Sequence, residues 1–165
     1  MFELKPIHKD ALNQALEKAH HYRLLNEPGE AESICLDVLE IEPENQDALV
    51  TLLLALTDRF AKGYGSGVTQ AKEVLPRIKD DYQRDYYAGI LCERQAKARL
   101  NHGGPGSSHD AYEYLREAMR HFEKAEVCRP EGNDDSILRW NACARIIMRN
   151  NLSARASDGT EPYLE

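Results

Sequence analysis

Small and apolar residues recur at helical spacing in two stretches of the chain, displaced by 87 residues. The first stretch consists of Ala31, Cys35, Val38 and Pro43, and the second of Ala118, Phe122, Ala125 and Pro130. Positions separated by four and then three residues lie on one face of an α-helix. Proline ends a helix because it lacks a backbone N–H and disfavours helical geometry in the residue before it. The pattern therefore predicts two helices that each end near a proline.

The same periodicity, with glycine and proline as breaks, predicts an all-α protein of about seven helices. The expected helices are residues 8–26, 29–42, 45–61, 68–79, 81–101, 107–129 and 134–151. Pro76 lies inside the fourth, where proline costs about 3 kcal/mol, so we expect a kink or two short turns there. We expect residues 1–151 to form a single domain. Residues 152–165 have no apolar period and are predicted to be a mobile tail.

The first stretch resembles the tetratricopeptide repeat, a 34-residue unit of two helices. Within residues 12–45, Tyr22, Ala31 and Pro43 match the family pattern and Cys35 lies at its phenylalanine position, whereas Ala15, Lys18 and Ala19 replace its tryptophan, leucine and glycine. A second unit begins at Gln46, and the stretch from Ala118 to Pro130 is the best match in the chain. The resemblance covers residues 8–150 and implies a right-handed solenoid of antiparallel helices. The separation of 87 exceeds two repeats by 19 residues, so long loops and elongated helices are expected between the two stretches.

Composition fits a folded helical domain that does not cross a membrane. The chain has 165 residues, of which 42% are hydrophobic and 30% are charged, values typical of a globular protein. The longest apolar stretch, residues 48–56, is far shorter than the ~20 residues that span a bilayer. Met1 to Pro6 lack the apolar core of a signal peptide. We therefore expect a cytoplasmic protein.

The cysteines support the same location. Cys35, Cys92, Cys128 and Cys143 have none of the short separations typical of zinc sites or redox pairs. Each lies among apolar helical neighbours, which favours buried, reduced thiols that act as small apolar side chains. The alternatives are a disulfide or a reactive thiol.

Charge is distributed unevenly along the chain. Residues 1–47 contain 11 acids and 4 bases, whereas the remaining residues contain 17 of each. The last helix and the tail contribute Arg139, Arg145, Arg149 and Arg155. Such a distribution favours basic partners at one end or contact between copies, and the alternative is a solvated acidic face. Nucleic-acid binding is not expected, because no basic stripe occurs and the pI is about 5.4.

Catalytic and ligand-binding motifs are not evident. The glycine-rich run of residues 63–67 follows a predicted helix and lacks the Lys-Ser/Thr of a phosphate-binding loop. His109, Glu113, Glu117 and His121 recur every four residues, but the two histidines are about 18 Å apart along a helix, too far to share an ion. No nucleophile and base pair emerges. We expect no enzymatic activity, no cofactor and no metal.

A candidate binding surface follows from the resemblance, since the first helix of each repeat lines the concave face of such solenoids. The residues it implies are Leu16, His20 and Arg23, then Val50, Leu54 and Asp58, and finally Tyr82, Tyr86, Tyr87, Glu93, Arg94 and Lys97. Tyrosine rings offer apolar area with a polar end and suit peptide binding. The alternative is that the tyrosines pack in the core and Glu93 and Arg94 solvate its boundary.

The sequence thus predicts a non-catalytic adaptor or scaffold that binds a peptide segment of a partner protein in its concave groove. The alternative is a self-associating structural protein, a weak homodimer in which the acidic first hairpin pairs with the basic last helix.

Overall fold

The computed structural model describes residues 1–63 and 67–156, and over these ranges it contains seven α-helices and no strand. The helices are α1 (Leu12–Leu24), α2 (Pro28–Ile41), α3 (Gln46–Asp58), α4 (Val68–Val74), α5 (Asp81–His102), α6 (Ser107–Val127) and α7 (Asp135–Arg149). Short 3-10 turns precede α1 and follow α4. The prediction of an all-α protein is confirmed.

The helix ends follow from local chemistry. Pro28 begins α2, a position where its missing N–H costs nothing. Asn45 caps α3, because its side-chain oxygen accepts a hydrogen bond from the N–H of Ala48 at 2.9 Å. Pro76 lies in the 3-10 turn Leu75–Arg77, directly after α4. The fourth predicted helix is therefore a short α-helix followed by a separate turn.

Two predicted segments extend beyond the described residues. Residues 64–66 of the glycine-rich run and residues 157–165 of the expected tail lie outside them. Leu152, the first residue of that tail, is buried against the core. The carbonyl oxygen of Ser153 lies 2.9 Å from Nδ1 of His109 in the first turn of α6. The start of the tail thus contacts the helical body, whereas residues 153–156 are exposed.

Helices adjacent in the chain pack on one another: α1 on α2, α2 on α3, α3 on α4, α5 on α6, and α6 on α7. In addition, α3 contacts both α1 and α5. The buried apolar side chains of the described ranges form two clusters, a first core mainly among α1–α4 and a second core among α5–α7. Tyr87 packs against both cores. Three alternate helices, α1, α3 and α5, therefore lie side by side. Within the described ranges, no helix combines the length and hydrophobicity needed to cross a membrane.

The longest helices are α5, with 22 residues, and α6, with 21, whereas α1–α3 have 13 or 14. Part of the surplus between the two repeated stretches therefore lies in elongated helices, as the sequence predicts. The contact between α5 and α6 is close at Gly89, because an added Cβ there would meet the ring of Phe122 at 2.5 Å.

The four cysteines are free thiols with different environments. Cys35 and Cys143 are buried and Cys92 is half-buried, as expected of small apolar side chains. The prediction is wrong for Cys128, which is exposed. The reason is that α6 ends at Val127, so Cys128 lies beyond the helical face that packs on the second core.

Candidate functional site

A cavity of about 410 Å³ lies where α1, α3 and α5 meet. Its lining residues are His20 from α1, Gln46, Asp47, Val50, Thr51 and Leu54 from α3, and Gln83 and Tyr87 from α5. We call this cavity the groove. The sequence predicted four of its residues: His20, Val50, Leu54 and Tyr87.

The floor of the groove comes from one face of α3. Val50 and Leu54 are half-buried and four residues apart, so their side chains lie one above the other. The opposite face of α3, with Leu49, Leu52 and Leu53, is buried in the first core. Because α3 is apolar nearly all round, it can pack in the core and still present apolar side chains to the groove.

Asp47 gives the groove a carboxylate in the first turn of α3. Nε2 of His20 lies 3.1 Å from its Oδ1, and the hydroxyl of Thr51 donates to the same oxygen at 3.3 Å. Gln46 is held in place, because its amide nitrogen donates to the carbonyl of Glu44 and its oxygen accepts from the N–H of Lys79. The side chains of His20 and Asp47 are 48% and 55% exposed, so both remain within reach of a ligand.

An ion-pair network joins the same three helices beside the groove. Asp58 of α3 accepts from Nε of Arg23 at 2.8 Å and is also bonded to Arg94 of α5. Arg94 donates further to the hydroxyl of Thr57 at 2.9 Å. These side chains are only partly exposed, so the pairs are less screened by water than surface pairs are. The network fixes the relative positions of α1, α3 and α5.

The three tyrosines of α5 have different surroundings. Tyr82 and Tyr86 are stacked with ring centres 5.8 Å apart, and Tyr86 meets Tyr87 edge to face at 5.1 Å. Tyr86 also contacts Phe122 of the second core, and the hydroxyl of Tyr82 donates to the side chain of Asn133 at 3.3 Å. Of the three, only Tyr87 lines the groove. Tyr86 instead packs against the second core, which is the alternative that the sequence left open for the tyrosines.

Two residues predicted for the groove have buried side chains. Leu16 is 5% exposed and belongs to the first core. Glu93 is 1% exposed, and its carboxylate lies 2.7 Å from Nζ of Lys97 and 3.5 Å from Arg139 of α7. Neither side chain is accessible to a partner, so neither residue belongs to the binding surface for which it was predicted. Lys97 itself is exposed and pairs with Glu93.

Four lining residues escaped sequence analysis: Gln46, Asp47, Thr51 and Gln83. The signal that could have found them is helical spacing. Gln83 precedes the predicted Tyr87 by four residues, and Asp47 precedes the predicted Val50 by three, so each predicted face extends by one turn toward the helix N-terminus.

The His and Glu side chains that recur every four residues lie on α6. His121 lies 3.4 Å from Glu117, and burial lowers the pKa of its imidazole. In the part of the chain that the structure describes, no group of three or more His, Cys, Asp or Glu side chains could hold a metal ion.

The chain matches none of the protein-family models, curated proteins or solved structures with which it was compared. Its function has therefore to be inferred from the sequence pattern and from the residues of the groove.

Proposed function

We propose that this protein is a non-catalytic interaction module, a tetratricopeptide-like solenoid that binds a segment of a partner protein along the groove. The observation that carries the proposal is that α1, α3 and α5 together line one cavity of about 410 Å³ with the half-buried side chains of Val50, Leu54 and Tyr87. Ligand pockets usually measure ~300–1,000 Å³ and are mostly apolar with a few polar groups. The groove has a volume in this range, with an apolar floor and a polar rim.

The groove walls support binding because they are pre-organised. Arg23, Asp58 and Arg94 tie the three helices together, and Tyr87 is anchored by contact with both cores. A groove whose walls are already ordered loses little conformational entropy when a ligand binds. A partner segment would bury its apolar side chains on Val50 and Leu54 and form hydrogen bonds at the polar rim.

The test compares two substitutions of the same chemistry. Val50→Trp places a large neutral ring on the groove floor, whereas Leu36→Trp places the same ring on α2, where Leu36 is 50% exposed and lies outside the groove. Partners are captured from the native lysate on the wild-type protein, identified by mass spectrometry, and then measured as purified proteins. We expect Val50→Trp to weaken binding about tenfold or more, a loss of at least ~1.4 kcal/mol, because the indole fills the space that the partner's side chains would occupy. Leu36→Trp should bind as the wild type does.

Circular dichroism checks that both variants keep their helical content. If the identified partner binds Val50→Trp as tightly as the wild type, the groove is not the binding site and the proposal fails. Equal losses in both variants would contradict it as well, because they would place the contact elsewhere.

A further inference from the structure

The formal charge in the groove is negative. Asp47 lines it, and none of the described lining residues is lysine or arginine. The nearby cations Arg23 and Arg94 are bonded to Asp58, and Lys79, whose backbone N–H donates to Gln46, is bonded to Glu44. An incoming cation would therefore meet a carboxylate whose partners among the described residues are His20 and Thr51.

Tyr87 lies within the field of two carboxylates. Burial raises the pKa of its hydroxyl most, the ionisable hydroxyl of Tyr86 raises it too, and Asp135 and Asp47 raise it further, while Arg23 lowers it. Asp135 stands in the first turn of α7, so this field has acidic sources on α3 and α7. An aromatic ring with carboxylates around it suits a cation, which is attracted by the ring and by the charges together.

We infer that the groove receives a lysine or arginine side chain from a basic segment of the partner protein, an inference that rests on the proposed function. The cationic head would pair with Asp47 and contact the ring of Tyr87, and the methylene stem would lie on Val50 and Leu54. Long basic side chains commonly bury their stems on apolar surface while the head keeps polar contacts. His20 yields its place readily, because its pair with Asp47 is about half exposed and such pairs contribute little.

The first part of the chain strengthens this preference at longer range. Residues 25–57 contain eight acids and no lysine or arginine. This segment includes α2 and nearly all of α3, the helix that supplies the groove floor. A surface of one sign attracts oppositely charged partners and raises the rate at which they associate. A basic segment is therefore drawn toward the groove before it makes contact.

The experiment selects ligands without assuming their charge. A random library of displayed peptides about 12 residues long is selected on the wild-type protein, and the peptides that bind are synthesised and measured by fluorescence polarisation. We expect selected peptides to be enriched in lysine or arginine. Asp47→Asn and Tyr87→Leu should each weaken them about fivefold, the size of an exposed ion pair or cation–π contact. Higher salt should weaken them too.

The matched control is Glu30→Gln. Glu30, like Asp47, is an acid in the first turn of its helix, but it lies on α2 and outside the groove. This variant loses the same charge and the same favourable contact with a helix N-terminus, and it should bind the peptides as the wild type does. Replacing the critical basic residue of the peptide with norleucine gives a second measurement on the unaltered protein, which does not depend on any variant folding.

The outcomes separate the inference from the proposed function. If the selected peptides lose affinity in Val50→Trp but contain no excess of basic residues, or bind Asp47→Asn as tightly as the wild type, the inference is wrong and the groove remains a peptide site. If no selected peptide is sensitive to Val50→Trp, both proposals are wrong.

Discussion

At the residue scale, the cysteine thiols should differ sharply in reactivity. Burial raises the pKa of Cys35 and of Cys143 to about 12 and that of Cys92 to about 11, so almost none of these thiols is ionised at about pH 8. Cys128 is exposed. We expect a thiol reagent such as Ellman's to modify a single cysteine rapidly in the folded protein and all four after unfolding. Cys128→Ser should abolish the fast phase, and a fast phase that survives in this variant would contradict the assignment.

Single residues also show that the sequence does not predict which face of a helix is buried. Leu16 and Val50 are 34 residues apart, the spacing of equivalent positions in tetratricopeptide repeats, yet Leu16 is buried and Val50 lines the groove. Periodicity assigns a residue to a face of its helix, but the burial of that face depends on the neighbouring helices. The burial of Glu93 has the same explanation. Its partner Arg139, 3.5 Å away, belongs to another helix and lies 46 residues further along the chain.

At the scale of elements, the contact between α5 and α6 depends on Gly89. Alanine there would place its Cβ 2.5–2.8 Å from ring atoms of Phe122, a side chain that is 1% exposed and has little room to move. The gain in helix propensity is about 1 kcal/mol, whereas overpacking a core costs about 1–3 kcal/mol. We expect Gly89→Ala to lower the free energy of unfolding by about 1 kcal/mol, measured by urea denaturation.

Gly29 provides the matched control for this substitution. It lies in α2, and an added Cβ there would meet nothing within 4 Å. Gly29→Ala should therefore raise the free energy of unfolding by about 0.5 kcal/mol, because only the unfolded chain loses freedom. If both substitutions stabilise the protein, α5 and α6 are not packed as closely as the structure has them.

The bounds of the helices were more predictable from the sequence than the packing of their faces. Asn45 and Pro43 mark the boundary between α2 and α3 directly, because capping and the lack of an N–H act within a few residues. The end of α6 was less exact: the predicted helix runs to residue 129, but α6 ends at Val127, since Pro130 disfavours helical geometry in the residue before it. Local chemistry thus determines where a helix ends to within about a turn.

At the scale of the whole molecule, the groove depends on contacts that no local pattern encodes. Arg23 and Asp58 are 35 residues apart, and Asp58 and Arg94 are 36 apart. Separations close to one 34-residue repeat are what side-by-side first helices of successive repeats would give, and they support the proposal of a solenoid. The resemblance therefore predicted which helices line the groove, while the polar partners required the structure.

The uneven charge of the molecule predicts at most a weak homodimer that salt dissociates. Residues 1–47 contain seven more acids than bases, and α7 presents the exposed Arg145 and Arg149 beside Leu138 and Met148, which are 63% and 65% exposed. From about 50 mM to about 500 mM salt the screening length falls from about 14 Å to about 4 Å, which removes most of the attraction between two such surfaces.

Light scattering at high protein concentration should show a dimer at low salt and a monomer at high salt. Arg145→Glu should be monomeric at both, and Lys124→Glu on α6, an exposed substitution of the same charge change, should behave as the wild type does. A monomer under all conditions would exclude self-association, and a dimer that persists in high salt would place the contact on Leu138 and Met148 instead of on the charges.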